Sequence, residues 1–270
     1  MNTETLWDFR SREELLMSKI YQDRGYVIED AEFNYLVRLK DDIEAAFAEF
    51  TDTYHKNGMS LENAHKSISN NESNDLRLYV MQRITQGTSF NRHYYNAARR
   101  IIHSLCGNEL AMQKRPGLSV NLPNNESDVL PIHADTWNGV SPFELNVWVP
   151  FVDCSNSMCL YILERQEYNK KLRECKGLLK LTSDELFNEL RSDLTWIPIK
   201  YGKVLAFDQS LPHGYSLNLE EKTHWSINCR FKGLHTPYWD KKLGEYFMPI
   251  TVKSSTRLGM SYEHPENWVT

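Results

Sequence analysis

The stretch Leu130-Pro131-Ile132-His133-Ala134-Asp135 constrains this chain more than any other. Alternate side chains of a strand share a face, so a strand running through these residues puts His133 and Asp135 on one side, able to grip one metal ion. Two ligands need a third. Downstream, Gly202-Lys203-Val204-Leu205-Ala206-Phe207-Asp208 reads as a strand and Leu211-Pro212-His213-Gly214 follows it at a turn, which makes His213 the expected third ligand. Two histidines and a carboxylate with open coordination positions suit non-heme Fe(II), whose chemistry needs vacancies for O2 and a second substrate. The next strand, residues 223–232, carries Arg230. An arginine there can fork onto a dicarboxylate lying beside the metal, and 2-oxoglutarate is the dicarboxylate expected.

These residues resemble the Fe(II)/2-oxoglutarate-dependent oxygenases, and most closely their phytanoyl-CoA hydroxylase-like branch. The resemblance runs through His133-x-Asp135, residues 202–208, His213-Gly214 with Asn218, and Trp225-Ser226-Ile227-Asn228-Cys229-Arg230. Within that branch, Phe143-Glu144-Leu145-Asn146-Val147-Trp148-Val149-Pro150 and residues 225–232 look like oxygenases found in carbohydrate-biosynthesis gene clusters. The resemblance covers roughly the C-terminal two-thirds of the chain. It implies a mainly β fold with flanking helices: a double-stranded β-helix, the cupin-like jelly-roll barrel, with the metal near one open end. It also implies hydroxylation of an aliphatic carbon in a polar small molecule such as a sugar or sugar derivative. Two other readings stay open, a non-catalytic jelly-roll that binds carbohydrate and a zinc hydrolase using the same three ligands.

Composition narrows the partners. A net charge of -5 with mixed signs offers no basic stripe for nucleic acid, so a small-molecule substrate is expected. Five cysteines without a C-x-x-C pair speak against a disulfide framework and against structural zinc. The N-terminus carries Glu4, Asp8 and Arg10 and is no signal peptide, and no apolar run is long enough to span a membrane. The expectation is a soluble, cytoplasmic protein without a membrane partner; the sequence leaves its oligomeric state open.

At 270 residues the chain suits one domain: a helical support region over 1–110, a jelly-roll core over 111–235 with a helical insertion at 164–191, and a tail over 236–270. Asp30 is placed to cap a helix whose stripe is Leu36, Leu39, Ile43, Phe47, Phe50 and Tyr54. Residues 56–74, rich in Asn, Ser and Glu, read as a loop that could act as a lid. A second helical region runs from Asp75 to Gly107 with Phe90, Tyr94, Ala97, Ile101 and Leu105 buried. Leu118 to Leu122 is expected to run beside the strand that ends in H-x-D. Thr182-Ser183-Asp184-Glu185 has capping-box spacing inside the insertion, which replaces the Pro-Gly-Ser-His stretch common in the resembled enzymes. Both this insertion and residues 56–74 are expected to border the site opening.

The resembled enzymes usually carry the cofactor's arginine where this chain has His224, which need not be charged and cannot fork onto a carboxylate. The clamp is therefore expected at Arg230, which shares a face with His224, Ser226 and Asn228. Asn121, Asn146, Ser226 and His224 are the remaining candidates for the cofactor, with Arg115 and Arg165 as reserve cations. Gln113, Arg115, Trp137, Asn138 and Trp148 are the candidates for substrate, since tryptophan stacks on sugar faces and the others hydrogen-bond hydroxyls.

Overall fold

The computed structural model describes residues 11–52, 60–174 and 180–265. Helix α1, Arg12–Arg24, starts at a reciprocal cap in which Ser11 and Glu14 each accept the other's backbone N–H. It stops at Gly25, whose φ of 88° is the left-handed conformation that lets its N–H return to the Tyr21 carbonyl. Strand β1, Tyr26–Asp30, follows. Helix α2, Phe33–Phe50, buries Leu36, Leu39, Ile43 and Phe47 as the spacing requires. Its N-cap is Glu32 and makes no side-chain bond, because Asp30 is still inside β1; Tyr54 lies outside the described residues. The second helical region breaks into α3 (Ser73–Ile84), α4 (Ser89–Ala97) and α5 (Arg99–Cys106), and Gly107 ends it with φ 85°. Phe90, Tyr94, Ala97 and Ile101 are buried, while Leu105 is only partly so.

Ten further strands complete two antiparallel sheets: β2 (Leu110–Gln113), β3 (Gly117–Asn121), β4 (Leu130–His133), β5 (Leu145–Pro150), β6 (Leu160–Leu163), β7 (Leu194–Ile197), β8 (Lys203–Asp208), β9 (His213–Tyr215), β10 (His224–Gly233) and β11 (Phe247–Thr251). The larger sheet runs β1-β8-β5-β10-β2-β11, and β3 lies end to end with β2 along β10. The smaller runs β4-β9-β6-β7. In place of the expected closed barrel there are two sheets packed face to face, and no ladder among the described residues joins them. The β3 strand also departs from expectation: it pairs with β10 in the larger sheet, whereas β4 pairs with β9 in the smaller.

Strand β10 is the spine of the larger sheet. Its odd residues Trp225, Ile227, Cys229 and Phe231 are fully buried against the helices. Phe47 meets Trp225 edge-on at 5.5 Å, and Tyr94 stacks on Phe231 while its hydroxyl donates to the Val147 and Ile227 carbonyls. Its even residues face the smaller sheet. Of the loop expected over 56–74, residues 56–59 lie outside the described residues, and 60–74 instead form 3-10 turns at Leu61–Lys66 and Asn70–Glu72 and bury Leu61, Ala64 and Ile68. The Trp225 indole donates to the Leu61 carbonyl and Thr223 N–H to the Glu62 carbonyl, so this segment is fastened at the His224 end of β10. The insertion is helical as expected, with α6 (Arg165–Glu174) and α7 (Ser183–Leu190), the latter started by the Thr182/Glu185 capping box. After β11 a last helix, α8, spans Ser254–Met260. No helix among the described residues is long and apolar enough to cross a membrane.

Candidate metal centre

His133 and His213 are a cross-strand pair of β4 and β9, with ring centroids 4.5 Å apart. Gly214 allows this approach: a Cβ there would stand 2.5 Å from the Leu130 carbonyl oxygen and the Tyr161 hydroxyl. Asp135 does not sit on the strand. It opens a 3-10 turn, Asp135–Asn138, and its backbone N–H donates to the Gln209 carbonyl at 2.9 Å. That bond brings its carboxylate back, with Oδ1 3.5 Å from His133 Nε2. One potential ligand atom from each of His133, Asp135 and His213 lies within 4.8 Å of the other two.

The tautomers follow from local carbonyls. His133 Nδ1 is 2.9 Å from the Pro131 oxygen and His213 Nδ1 is 2.8 Å from the Leu211 oxygen, so each Nδ1–H donates two residues back along its own chain. Both Nε2 lone pairs are thereby left for a cation, and the ring orientations are fixed before any ion binds. Burial lowers the His213 pKa to about 4, which keeps it neutral. Desolvation acts downward on His133 too, but its bonds to Asp135 and Pro131 outweigh that and raise it. Desolvation would raise Asp135, yet bonds to His133 and the charge of Arg230 hold it far below the usual carboxylate range. A neutral His213, an ionised Asp135 and a His133 that gives up its Nε2 proton when a cation takes its place are a donor set that suits a divalent metal.

Opposite the histidines lies a row of the larger sheet. Cross-strand register aligns Phe207, Asn146 and Arg230, and Gln113 is level with them on β2. Phe207 packs edge-on against the His213 ring at 4.9 Å. Arg230 Nη2 donates to Asp135 Oδ2 at 2.7 Å, Nε to Gln209 Oε1 at 2.8 Å, and Nη1 to the Tyr246 hydroxyl at 2.7 Å. Asn146 is buried, and its Oδ1 has no partner among the described residues. An orphaned buried amide beside a metal triad is the kind of atom a bound ligand satisfies.

No family model matches the chain and no curated protein does. Solved structures do. The chain superimposes on ThoJ, a non-heme monooxygenase in complex with nickel, with TM-score 0.59 and 10% identity over 93% of this chain and 89% of that one. It superimposes on AviO1 from Streptomyces viridochromogenes Tue57 with TM-score 0.54 and 13% identity, covering 85% of this chain and 99% of that one. SnoK, a non-heme alpha ketoglutarate dependent carbocyclase from nogalamycin biosynthesis, gives TM-score 0.50 and 14% identity over 90% and 98% of the two chains. The fold is that of the non-heme oxygenases.

Within this oxygenase fold the other expected residues separate. His224 and Ser226 lie further along β10 and bond each other, Nε2 to Oγ at 2.8 Å, while His224 Nδ1–H donates to the Met158 carbonyl. Burial lowers the His224 pKa to about 4, so it is neutral as expected. Tyr215 and Trp148 pack around it, and the Trp148 indole donates to the Tyr215 hydroxyl. Trp148 is thus core between the sheets, not a residue of an open rim. Asn121 pairs with His224 across β3 and β10 and donates to the Asp128 carbonyl at 2.7 Å. Gln113 reaches Arg230, accepting from its backbone N–H at 3.1 Å, so its oxygen is already engaged. Trp137 and Asn138 occupy the turn after Asp135, with Trp137 partly exposed. Arg115 is not brought to the metal: it sits on the β2–β3 turn and lines an outer groove with Arg77 and Leu118. Arg165, first residue of α6, is bound to Asp208.

Gln209 and Tyr246 were not foreseen. Gln209 lies between the β8 strand and His213, and its position next to an aspartate at a strand end was a usable signal. Tyr246 reaches Arg230 from the tail, and nothing near it in sequence marks that contact.

Proposed function

We propose that this chain is an Fe(II)- and 2-oxoglutarate-dependent oxygenase that hydroxylates an aliphatic carbon of a polar small molecule, a sugar or sugar derivative fitting best. The observation that carries the reading is the convergence of His133 Nε2, His213 Nε2 and an ionised Asp135 on one point, with both Nδ1–H groups tied to carbonyls. Shared architecture with non-heme oxygenases supports it. Within that superfamily the phytanoyl-CoA hydroxylase-like branch remains our assignment, as does a single cytoplasmic domain over 1–270.

Iron, which His133, Asp135 and His213 would hold, would supply the chemistry that couples oxidative decarboxylation of a 2-oxo acid to oxidation of a substrate C–H bond. The chain's own residues bind and aim. Three protein ligands leave coordination positions for a chelating 2-oxo acid and for O2. Arg230 is the cation that bears on all three ligands. Its bonds occupy one of the two Nη2 hydrogens, and the second, with the Asn146 Nδ2–H2, receives a carboxylate of the co-substrate, which leaves the unpartnered Asn146 Oδ1 to accept from a hydroxyl. Ser226, neutral His224 and Asn121 line the interior further along. Phe207 and Trp148 keep water from the inner side. Trp137 and Asn138, on the turn that carries Asp135, meet the substrate, and α6 borders them, with the Tyr168 hydroxyl near Trp137.

Succinate formation tests the assignment. Fe(II)-loaded protein given 2-oxoglutarate in air should release succinate slowly, faster when a true substrate is added, and His213→Ala should release none. Hydrolytic activity of the zinc-loaded protein with no succinate from the iron-loaded one would overturn it.

A further inference from the structure

Asp135 uses its two oxygens differently. Oδ1 lies toward His133 Nε2 at 3.5 Å, whereas Oδ2 is held by Arg230 at 2.7 Å. Arg230 is itself fixed at three more points: Nε on Gln209, Nη1 on the Tyr246 hydroxyl, and backbone N–H on Gln113. Gln209 is fixed in turn, donating to Glu144 Oε2 at 3.1 Å and to the Ser141 carbonyl at 3.3 Å. This guanidinium therefore cannot swing away from Asp135 without leaving several buried partners unsatisfied.

We infer that Arg230 is a positioning residue that withholds Asp135 Oδ2 from the metal, so that the aspartate serves as a one-oxygen ligand and the coordination position its second oxygen would take stays open. The inference rests on the proposed metal centre. A carboxylate beside a divalent cation readily offers both oxygens, which would close a position the co-substrate or O2 requires. Charge sharpens the point. A guanidinium near a divalent cation repels it and competes for the same carboxylate, so Arg230 weakens metal binding while shaping it. A group that merely supported the fold would do the opposite: its loss would loosen the ligands and weaken binding. Tyr246 extends the device to the tail, since its hydroxyl is one of the four side-chain anchors of the guanidinium.

Titration with Co(II), followed by calorimetry and by the visible absorption bands of the bound ion, separates these cases. Arg230→Gln should bind Co(II) at least about threefold more tightly than wild type, since one repelling charge is gone and a second oxygen is freed. Its absorption bands should change shape with the change in ligand number. Arg230→Lys, which keeps a charge against Oδ2, should return both readings towards wild type. Tyr246→Phe, which drops one anchor and keeps the fold, should shift both in the direction of Arg230→Gln by a smaller amount. Weaker or equal Co(II) binding by Arg230→Gln and Tyr246→Phe, with unchanged bands, would overturn the inference and leave the metal centre standing. Failure of wild type itself to bind Co(II) would remove the metal centre and the inference together.

Discussion

At His224 the chain buries an imidazole that shows no charge at neutral pH, and this has a consequence for stability that can be measured. Its pKa falls from 6.5 to about 4 because burial disfavours the charged form. The unfolded chain therefore takes up a proton between those values and the folded chain does not, so stability rises with pH across that window. The contribution is whole above the unfolded value and is lost as pH falls toward 4; by pH 5 it amounts to a loss of about 2 kcal/mol. His224→Gln should remove that slope. Denaturant unfolding at pH 7 and pH 5 checks this, and equal pH sensitivity in the two proteins would refute it. His213 titrates in the same sense, so the difference between the proteins, not the wild-type slope alone, is the informative quantity. Residues of this kind were legible when they sat in a local pattern. His133 and Asp135 are two apart, and His213 follows a strand at a turn, so short-range geometry marks all three. The face-sharing of Arg230 with Ser226 was equally readable from period two. What Arg230 touches was not, because Asp135, Gln209 and Tyr246 reach it from three separate parts of the chain.

Elements were legible in proportion to how one-sided their burial is. Helix α2 buries one stripe and reads clearly, whereas β10 is covered on both faces and reads as a nearly continuous buried run, its function lying in the even residues. Residues 60–74 misled for a different reason. Their composition is that of a loop, but three apolar side chains, Leu61, Ala64 and Ile68, are enough to seat the segment over Trp225. Fastened to Thr223 and Trp225, they stand at the opposite end of β10 from Arg230 and cannot act as a lid over the metal. The insertion does reach the centre, with α6 touching Trp137 and α7 packing on β4. Trp225 is the bond between the misread segment and the sheet: fully buried, edge-on to Phe47 and donating to the Leu61 carbonyl. Trp225→Ala should cost about 3–5 kcal/mol through the cavity and the stranded carbonyl. Urea denaturation measures it; a loss under about 1 kcal/mol would mean that the segment is not held as described.

Across the whole molecule, the candidate metal site is where the two sheets meet through polar groups as well as through the packing of Phe207 on His213. His133 and His213 belong to the smaller sheet, while Asp135 is bonded through Arg230 to the larger. The tail joins as well, by Tyr246 and by Lys232, whose buried ammonium lies 3.6 Å over the Tyr238 ring and donates to the Pro237 carbonyl. Strands and flanking helices were readable from sequence, but the closed barrel that the resemblance implied is not what forms, since closure depends on edge pairing that no local pattern encodes. An ion bound by all three ligands would act as a cross-link between β4, β9 and, through Asp135, β10. Because the unfolded chain does not hold the three together, binding must stabilise the folded state, by about 2.7 kcal/mol at a free metal concentration a hundredfold above the dissociation constant. For a chain of this size that corresponds to a rise in melting temperature of roughly 5–10 °C. Co(II) should produce this rise in wild type and not in His213→Ala, compared as shifts so that the variant's own cavity does not matter. Amide exchange should slow in β4 and β9 together on metal addition, while residues 60–74, at the far end of β10, should be unaffected. A melting temperature indifferent to Co(II), or protection confined to one of the two strands, would mean that the three side chains do not hold an ion jointly.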